Sequence, residues 1–207
     1  MSQVTKPTIT YFDGPVSRGE ECRLALHVAG VDFIDNRLSR DQWMALKPNT
    51  PFGSVPVFEL PGKPPLGQSN AILTLIGRMH GLHPKDEFEA ARHLAMMEHV
   101  EDLRHRITPS MRMSDDAEKK KAREALVETY FPLWSSKAEA QIADDGPFFA
   151  GGALHVVDFK ILLIVRWLRG GALDHIPSTV FAAYPKLNRV HDAVNEHPRV
   201  KDWYAKK

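Results

Sequence analysis

Residues 51–60 of the sequence are PFGSVPVFEL, a segment that places a proline inside a strand pattern. Residues 55–60 are rich in valine and aromatic side chains, which predicts a β-strand. Pro56 has no N–H group to donate to a strand ladder, so proline is normally excluded from this position. Two interpretations stay open. Either a cis Val55–Pro56 bond turns the main chain of Val55 outward toward another partner, or Pro56 is trans on an edge strand.

Short elements separated by turn residues fill the first eighty residues around this segment. The alternating TITYF sequence at residues 8–12 predicts a strand, and apolar residues at helical spacing predict a helix over residues 18–29. Ser17 and Glu20 form a capping-box pair at the start of that helix. The other predicted elements are a strand at 33–38, a short helix at 41–46, a strand near 66 and a helix at 69–80. The predicted order is therefore βαβα-ββα.

From residue 88 onward the pattern changes to long helices. Helical spacing predicts them at residues 88–107, 116–143, 156–168, 184–195 and 199–205. Pro132 is expected to kink or split the second of these, and the third is apolar enough to be buried on nearly all sides. We therefore predict an α/β domain over residues 1–82 and an all-α domain over residues 88–207, joined by a linker at 83–87.

Composition excludes several classes of function. The chain has 207 residues with 27 Lys and Arg against 26 Asp and Glu, which leaves no dense basic face for nucleic acid or an anionic membrane. The single cysteine, Cys22, allows no disulfide framework or all-cysteine zinc site. The ten histidines form no HExxH or comparable ligand set, so we expect no metal. The aliphatic runs are too short to cross a bilayer and residues 1–7 resemble no leader, so we expect a reduced, cytoplasmic protein.

Three polar side chains lie where the first strand meets the first helix, a place where α/β folds commonly carry chemistry. Tyr11 and Ser17 each have a hydroxyl that can donate to an anion, and Arg18 can supply a positive charge to the same place. The alternatives are structural. Tyr11 is then a packed aromatic residue, Ser17 a helix cap and Arg18 a solvated side chain.

A second polar pair, Gln68 and Ser69, precedes the helix at residues 69–80. The free N–H groups and the dipole at a helix N-terminus favour a bound carboxylate or phosphate. The alternative is that Ser69 only caps its own helix.

Taken together, these segments resemble the cytosolic glutathione transferases, and most closely the sigma-like branch that uses a tyrosine. The matching segments cover nearly the whole chain: TYFDGPVSRGEECRLAL at 10–26, Trp43 with Lys47, PFGSVPVFEL at 51–60, GQSNAI at 67–72 and YPKLNRVHDAVNEHPRVKDW at 184–203. The resemblance implies a thioredoxin-like N-terminal domain, an all-helical C-terminal domain with much of the electrophile pocket, a cis Pro56 and a homodimer.

The resemblance also implies roles for individual residues. Tyr11 donates to the glutathione sulfur, and Arg18 supports the thiolate electrostatically. The glutathione-binding residues are Trp43 and Lys47 for the glycyl carboxylate, Val55 with Pro56 for the cysteinyl main chain, and Gln68 and Ser69 for the γ-glutamyl carboxylate. Glutathione is a co-substrate here, and the implied reaction joins its thiolate to a small, mostly apolar electrophile. Alternatives are a glutathione-dependent isomerase or peroxidase, or a non-catalytic binding protein of the same fold.

The chain departs from the family pattern at three places. Ser54 stands where a basic or amide side chain often contacts glutathione. His105 aligns with the acidic residue that reaches the partner subunit's glutathione, for which Glu101 or Asp102 is a substitute. In LHVVD at residues 154–158, His155 replaces the usual Ser or Thr of a buried capping box while Asp158 is kept. We expect that helix to begin there with an altered cap.

Overall fold

Four strands form one mixed sheet in the first part of the chain. The computed structural model describes residues 5–15 and 17–206. In it β1 (Thr8–Phe12) pairs in parallel with β2 (Ile34–Leu38) and antiparallel with β3 (Val57–Glu59). A short β4 (Leu66–Gly67) pairs antiparallel with β3, so the strand order is β2-β1-β3-β4. The predicted alternation of two parallel strands followed by a hairpin is confirmed.

Three helices complete this part of the chain: α1 (Ser17–Val28), α2 (Arg40–Leu46) and α3 (Ser69–His80). Helix α3 ends where Gly81 takes the left-handed conformation, with φ of 72°, which a residue without a Cβ adopts at little cost. Helices α1 and α3 pack against each other, and both carry buried apolar side chains: Cys22, Leu24 and Leu26 on α1, and Ile72, Leu73 and Ile76 on α3.

Five further helices follow: α4 (Glu87–Ile107), α5 (Asp116–Ala125), α6 (Phe131–Gln141), α7 (Val156–Arg169) and α8 (Pro185–Glu196). Every residue of α7 from position 156 to 165 is buried, as its apolar sequence predicts. None of the helices in the described part of the chain combines the length and apolar character that a membrane span requires.

Pro132 splits the long helical segment predicted at residues 116–143. Helix α5 ends at Ala125, a π-helical turn occupies Leu126–Tyr130, and Pro132 lies in the first turn of α6. The wider π turn before Pro132 relieves the clash that the proline ring would cause in a continuous α-helix.

The chain folds into two compact units, and the first takes in both ends of the sequence. The first unit runs to Lys85 and resumes at His197, whereas the second holds Asp86–Glu196. Helix α9 (Pro198–Ala205) therefore belongs with the sheet unit rather than with the helical unit, where the sequence places it. It packs on α1, and the indole Nε1 of Trp203 donates a 2.7 Å hydrogen bond to Glu20.

Asp158 holds the start of α7. Its carboxylate accepts 2.8 Å hydrogen bonds from the main-chain N–H groups of His155 and Phe149, so the helix begins at Val156 as expected. The side chain is fully buried. Burial raises the pKa of Asp158 from its ordinary 3.8 to about 7, against the opposing effect of the two N–H donors.

We expect Asp158 to make stability depend on pH. Between pH 4 and 7 the folded chain holds a proton on Asp158 that the unfolded chain has lost, so stability falls as the pH rises and levels off above 7. Each pKa unit corresponds to about 1.4 kcal/mol. Asp158→Asn removes the titration and keeps one acceptor oxygen. Urea unfolding of both proteins from pH 4.5 to 8 should show the wild type losing stability relative to Asp158→Asn up to pH 7. A difference that is constant across this range would contradict the prediction.

Candidate functional site

The residues that the sequence analysis selects for chemistry all lie in the first unit. They are Tyr11, Arg18, Trp43, Lys47, Ser54, Val55, Pro56, Gln68 and Ser69. They sit at the end of β1, at the starts of α1 and α3, on α2 and its following turn, and just before β3.

Tyr11 is fixed at the end of β1 by direct contact with α1. Its side chain is buried, and a Cβ atom added at Gly19 would lie 2.1 Å from the ring carbon Cγ of Tyr11. Only glycine therefore lets the helix approach the ring this closely. Arg18 is the neighbouring residue on α1 and is half-buried. The contact brings the tyrosine and the arginine to the same end of the sheet.

Ser17 occupies a different place from the one its sequence predicts. It is the first residue of α1, and its φ is 58°, whereas a helix cap has extended backbone. Glu20, its predicted capping partner, is fully buried and accepts hydrogen bonds from Trp203 and Arg23. Glu20 therefore has a role in the interior of the first unit that the capping interpretation did not include.

Arg23 is the residue of this region that sequence reasoning missed. Its fully buried guanidinium donates to the carbonyl oxygens of Phe12 and Gly14, at 3.0 and 3.2 Å, in the turn between β1 and α1. The only signal in the sequence is an arginine three residues after a glutamate on an otherwise apolar helix face.

Trp43 and Lys47 lie on one side of the β1 end. The Trp43 indole meets the Phe12 ring edge-on, with 5.8 Å between ring centroids. Lys47 is exposed at the end of α2, and its carbonyl oxygen accepts bonds from the N–H and the hydroxyl of Thr50. The two hydrogen bonds from Thr50 fix the Lys47 main chain, whereas the Lys47 side chain is exposed to solvent.

The segment Ser54–Val55–Pro56 has the cis peptide bond that the sequence left open, between Val55 and Pro56. The ladder between β1 and β3 begins only at Val57, so Val55 lies outside it. Within residues 5–15 and 17–206, no hydrogen bond uses the main-chain N–H or C=O of Val55. The main-chain N–H and C=O of the half-buried Val55 can therefore pair with a short extended peptide, as in strand addition.

The side chain of Gln68 does not cap the start of α3. Gln68 occupies the cap position with φ of 69° and makes no capping bond, while the buried Ser69 is the first helical residue. The interpretation that Ser69 caps its own helix is therefore wrong. The first-turn N–H groups and the positive end of the helix dipole remain suited to a carboxylate.

The charges around these residues favour an anionic ligand. Arg18, Lys47 and the N-terminus of α3 supply positive charge at separate points. The carboxylates of Asp13 and Asp35 already have a partner, because Arg37 bonds both. The hydrogen bond from Arg37 lowers the pKa of Asp13, so this group stays ionised and paired.

One cluster of possible metal ligands occurs elsewhere in the described part of the chain, in the second unit. Asp116, Asp174 and His175 have ligand atoms within 4.8 Å of one another. Lys119 pairs with both carboxylates and Arg123 pairs with Asp174, and these bonds lower the pKa of both acids. The cluster contains none of the predicted site residues.

Comparison with known proteins places the chain in one family along its whole length. The family model for the glutathione S-transferase N-terminal domain matches residues 7–78, and the model for the glutathione S-transferase C-terminal domain matches residues 101–207. Glutathione S-transferase 1 of Ascaris suum is 31% identical over 96% of this chain and 95% of its own length.

Solved structures give the same assignment. Prostaglandin synthase D of Nilaparvata lugens superposes with a TM-score of 0.85, at 32% identity over 98% of both chains. A monomeric glutathione S-transferase of Necator americanus gives a TM-score of 0.75 at 25% identity over 98% of both chains. With its thioredoxin-like sheet unit and its helical unit both matched, this chain belongs to the glutathione S-transferase family.

Proposed function

We propose that this protein uses Tyr11 to stabilise the thiolate of bound glutathione and transfers that thiolate to small, mostly apolar electrophiles. The observation that carries the proposal is the contact between the Tyr11 ring and Gly19, the residue that follows Arg18 on α1. The transferase activity of the family supplies the reaction class. Detoxification in the cytoplasm is the setting we propose for it.

The remaining site residues are proposed to hold the three parts of glutathione. Gln68 and Ser69 bind the γ-glutamyl carboxylate at the start of α3. The main chain of Val55, after Ser54 and before the cis Pro56, pairs with the cysteinyl unit. Trp43 and Lys47 bind the glycyl carboxylate. Each carboxylate of glutathione therefore meets positive charge, one at the N-terminus of α3 and the other at Lys47.

The free energy required for thiolate formation is modest. A thiol with a pKa of about 8.5 is only roughly 3% ionised at pH 7. Lowering that pKa by about two units needs about 2.7 kcal/mol of preference for the thiolate. One hydrogen bond to a charged group supplies about 1.5 to 3 kcal/mol. The Tyr11 hydroxyl with the nearby charge of Arg18 is therefore sufficient without a metal or a general base.

A second reaction, glutathione-dependent isomerisation, uses the same thiolate. The similarity to prostaglandin synthase D of Nilaparvata lugens favours it over peroxidase activity. A non-catalytic binding role is the remaining alternative, and the retention of Tyr11 and Arg18 counts against it. Retention on immobilised glutathione followed by a chlorodinitrobenzene conjugation assay separates binding from transfer.

We also propose a homodimer in which one protomer's Phe52 inserts between helices of its partner's helical unit. Phe52 is 63% exposed, and its ring lies against Gly67, where an added Cβ would come within 2.8 Å. Helix α4 carries two exposed apolar side chains, Phe88 and Leu94. Glu101 is engaged by Arg104 and Lys160 in its own chain, so Asp102, which is exposed on α4, is the better candidate to reach a partner's glutathione.

Tyr11→Phe should raise the pKa of the bound thiol and slow conjugation. The substitution keeps the ring that packs on Gly19 and deletes only the hydroxyl donor. Loss of the donor should lower the conjugation rate about ten-fold or more, which is at least about 1.4 kcal/mol in the barrier. An ultraviolet titration of glutathione bound to each protein measures the thiol pKa. Ser17→Ala is the matched hydroxyl deletion and should leave that pKa in place; if the two results are exchanged, the enzyme is serine-type.

Ser69→Ala should weaken glutathione binding more than it slows turnover. The hydroxyl is proposed to contact a carboxylate that does not change during the reaction, so its loss affects ground and transition states equally. We expect a higher KM for glutathione with a largely unchanged kcat. Ser136→Ala removes an exposed hydroxyl on α6 and serves as control. Reduced thermal stability with an unchanged KM would contradict the binding role.

Phe52→Ala should shift the protein toward monomer. Removing a large aromatic anchor from the centre of an interface typically costs about 2 kcal/mol or more. Size-exclusion chromatography with light scattering at several concentrations measures the shift. Leu133→Ala, which shortens another exposed apolar side chain, should elute as the wild type does. An unchanged dimer for Phe52→Ala would remove the anchor role.

A further inference from the structure

Arg23 carries a permanent charge into the interior of the first unit. Its side chain has no exposed surface, although it lies on α1 only a few residues from the start of the helix. Arginine stays protonated in proteins, and a buried cation is costly unless all of its donors are satisfied. The partners of Arg23 therefore indicate what this charge is used for.

Each nitrogen of the Arg23 guanidinium has a partner. Nε donates to Asp35 Oδ1 of β2 at 2.7 Å, and Nη2 donates to the carbonyl oxygen of Phe12 at 3.0 Å. Nη1 lies 3.2 Å from the carbonyl oxygen of Gly14 and 3.5 Å from Glu20 Oε2. One planar side chain on α1 thus ties the helix to both parallel strands and to the turn that joins β1 to α1.

The same side chain lies against the proposed sulfur-stabilising tyrosine. The guanidinium carbon is 5.9 Å from the centre of the Tyr11 ring, within cation–π range. Arg18 and Gly19 precede Arg23 on α1, and Gly19 is the residue that touches the ring. The position of α1 relative to β1 therefore sets where the Tyr11 hydroxyl points and where the Arg18 charge lies.

Helix α9 contacts the same group of residues through Glu20. Trp203 on α9 donates its indole N–H to Glu20 Oε1 at 2.7 Å, while Oε2 of the same carboxylate faces Arg23. Helix α9 is held on α1 by the hydrogen bond from Arg199 to the carbonyl oxygen of His27, at 2.8 Å, and by the 3.0 Å contact of His27 with Asp202.

We propose that Arg23, held by Asp35, Glu20 and Trp203, is a positioning residue for Tyr11. We name these four residues the Arg23 network. The network keeps the Tyr11 hydroxyl and the Arg18 charge aligned with the glutathione sulfur, although none of its four residues contacts the substrate. Because hydrogen-bond strength falls steeply with misalignment, a shift of a fraction of an ångström is enough to weaken the bond to the thiolate. The inference rests on the proposed function of Tyr11.

Two substitutions test the network with different risks to folding. Arg23→Lys keeps the charge but cannot span both carbonyl oxygens and Asp35. Trp203→Phe keeps an aromatic ring and deletes only the donor to Glu20. The matched control is Trp134→Phe in the second unit, which deletes an indole N–H that donates to the carbonyl oxygen of His99 at 2.6 Å. All three proteins are compared with wild type by circular dichroism and thermal unfolding before assay.

The readouts are the ultraviolet titration of bound glutathione and the conjugation of chlorodinitrobenzene. We expect the network variants to raise the bound thiol pKa by up to about one unit, with kcat at pH 6 falling by as much as about ten-fold and the KM for glutathione within about two-fold of wild type. Trp134→Phe should change neither kinetic constant nor the thiol pKa.

The outcomes separate this inference from the proposed function. If wild-type protein does not lower the thiol pKa of glutathione, the proposed function fails irrespective of Arg23. If wild type lowers it, a rise in any folded network variant that Trp134→Phe lacks supports the positioning role. An unchanged thiol pKa in every folded network variant, or an equal rise in Trp134→Phe, overturns it. Trp203→Phe decides the matter alone if Arg23→Lys does not fold.

Discussion

The missing side chain of Gly19 sets the geometry on which the first unit depends. With no Cβ, α1 approaches β1 until its backbone touches the Tyr11 ring, and any other residue would place an atom 2.1 Å from that ring. The close approach shapes the turn after β1 and brings Arg23 under its carbonyl groups. A glycine in a helix interior costs about 0.5 to 1 kcal/mol relative to alanine. Here that cost is accepted in return for the position of a single aromatic ring.

The second unit is organised by a different constraint, which is the burial of α7 from its first residue to position 165. A helix buried on all sides has no solvent to satisfy its N-terminal N–H groups, so a buried acceptor has to be supplied. Asp158 supplies it from within the helix and also binds the preceding loop at Phe149. The same burial encloses Lys160, which pairs with Glu101 of α4 at 2.6 Å. The helical unit therefore combines an apolar core with buried charged side chains, such as Asp158 and Lys160, that have polar partners.

Most of the fold follows from local sequence signals, because most elements begin or end at a residue that favours a boundary, such as glycine or proline. The TITYF strand, the Gly81 end of α3 and the division at Pro132 are all placed correctly by such signals. The alternative that Ser69 caps its own helix stayed open in the sequence because a hydroxyl before an apolar helix looks the same whether it precedes the first turn or belongs to it. Arg23 was missed since its partners lie on two strands and a turn that no periodicity brings together. The placement of α9 also depends on contacts that are distant in sequence.

The return of α9 to the first unit has a consequence for the order in which the protein is made. Glu20 and Trp203 are separated by 183 positions. At about 5 to 20 residues per second, a ribosome needs roughly 10 to 40 seconds to pass from one to the other. During that interval the sheet and its first three helices emerge with the Glu20 carboxylate not yet covered by the indole. The proposed glutathione site is therefore completed only after the whole helical unit has been synthesised.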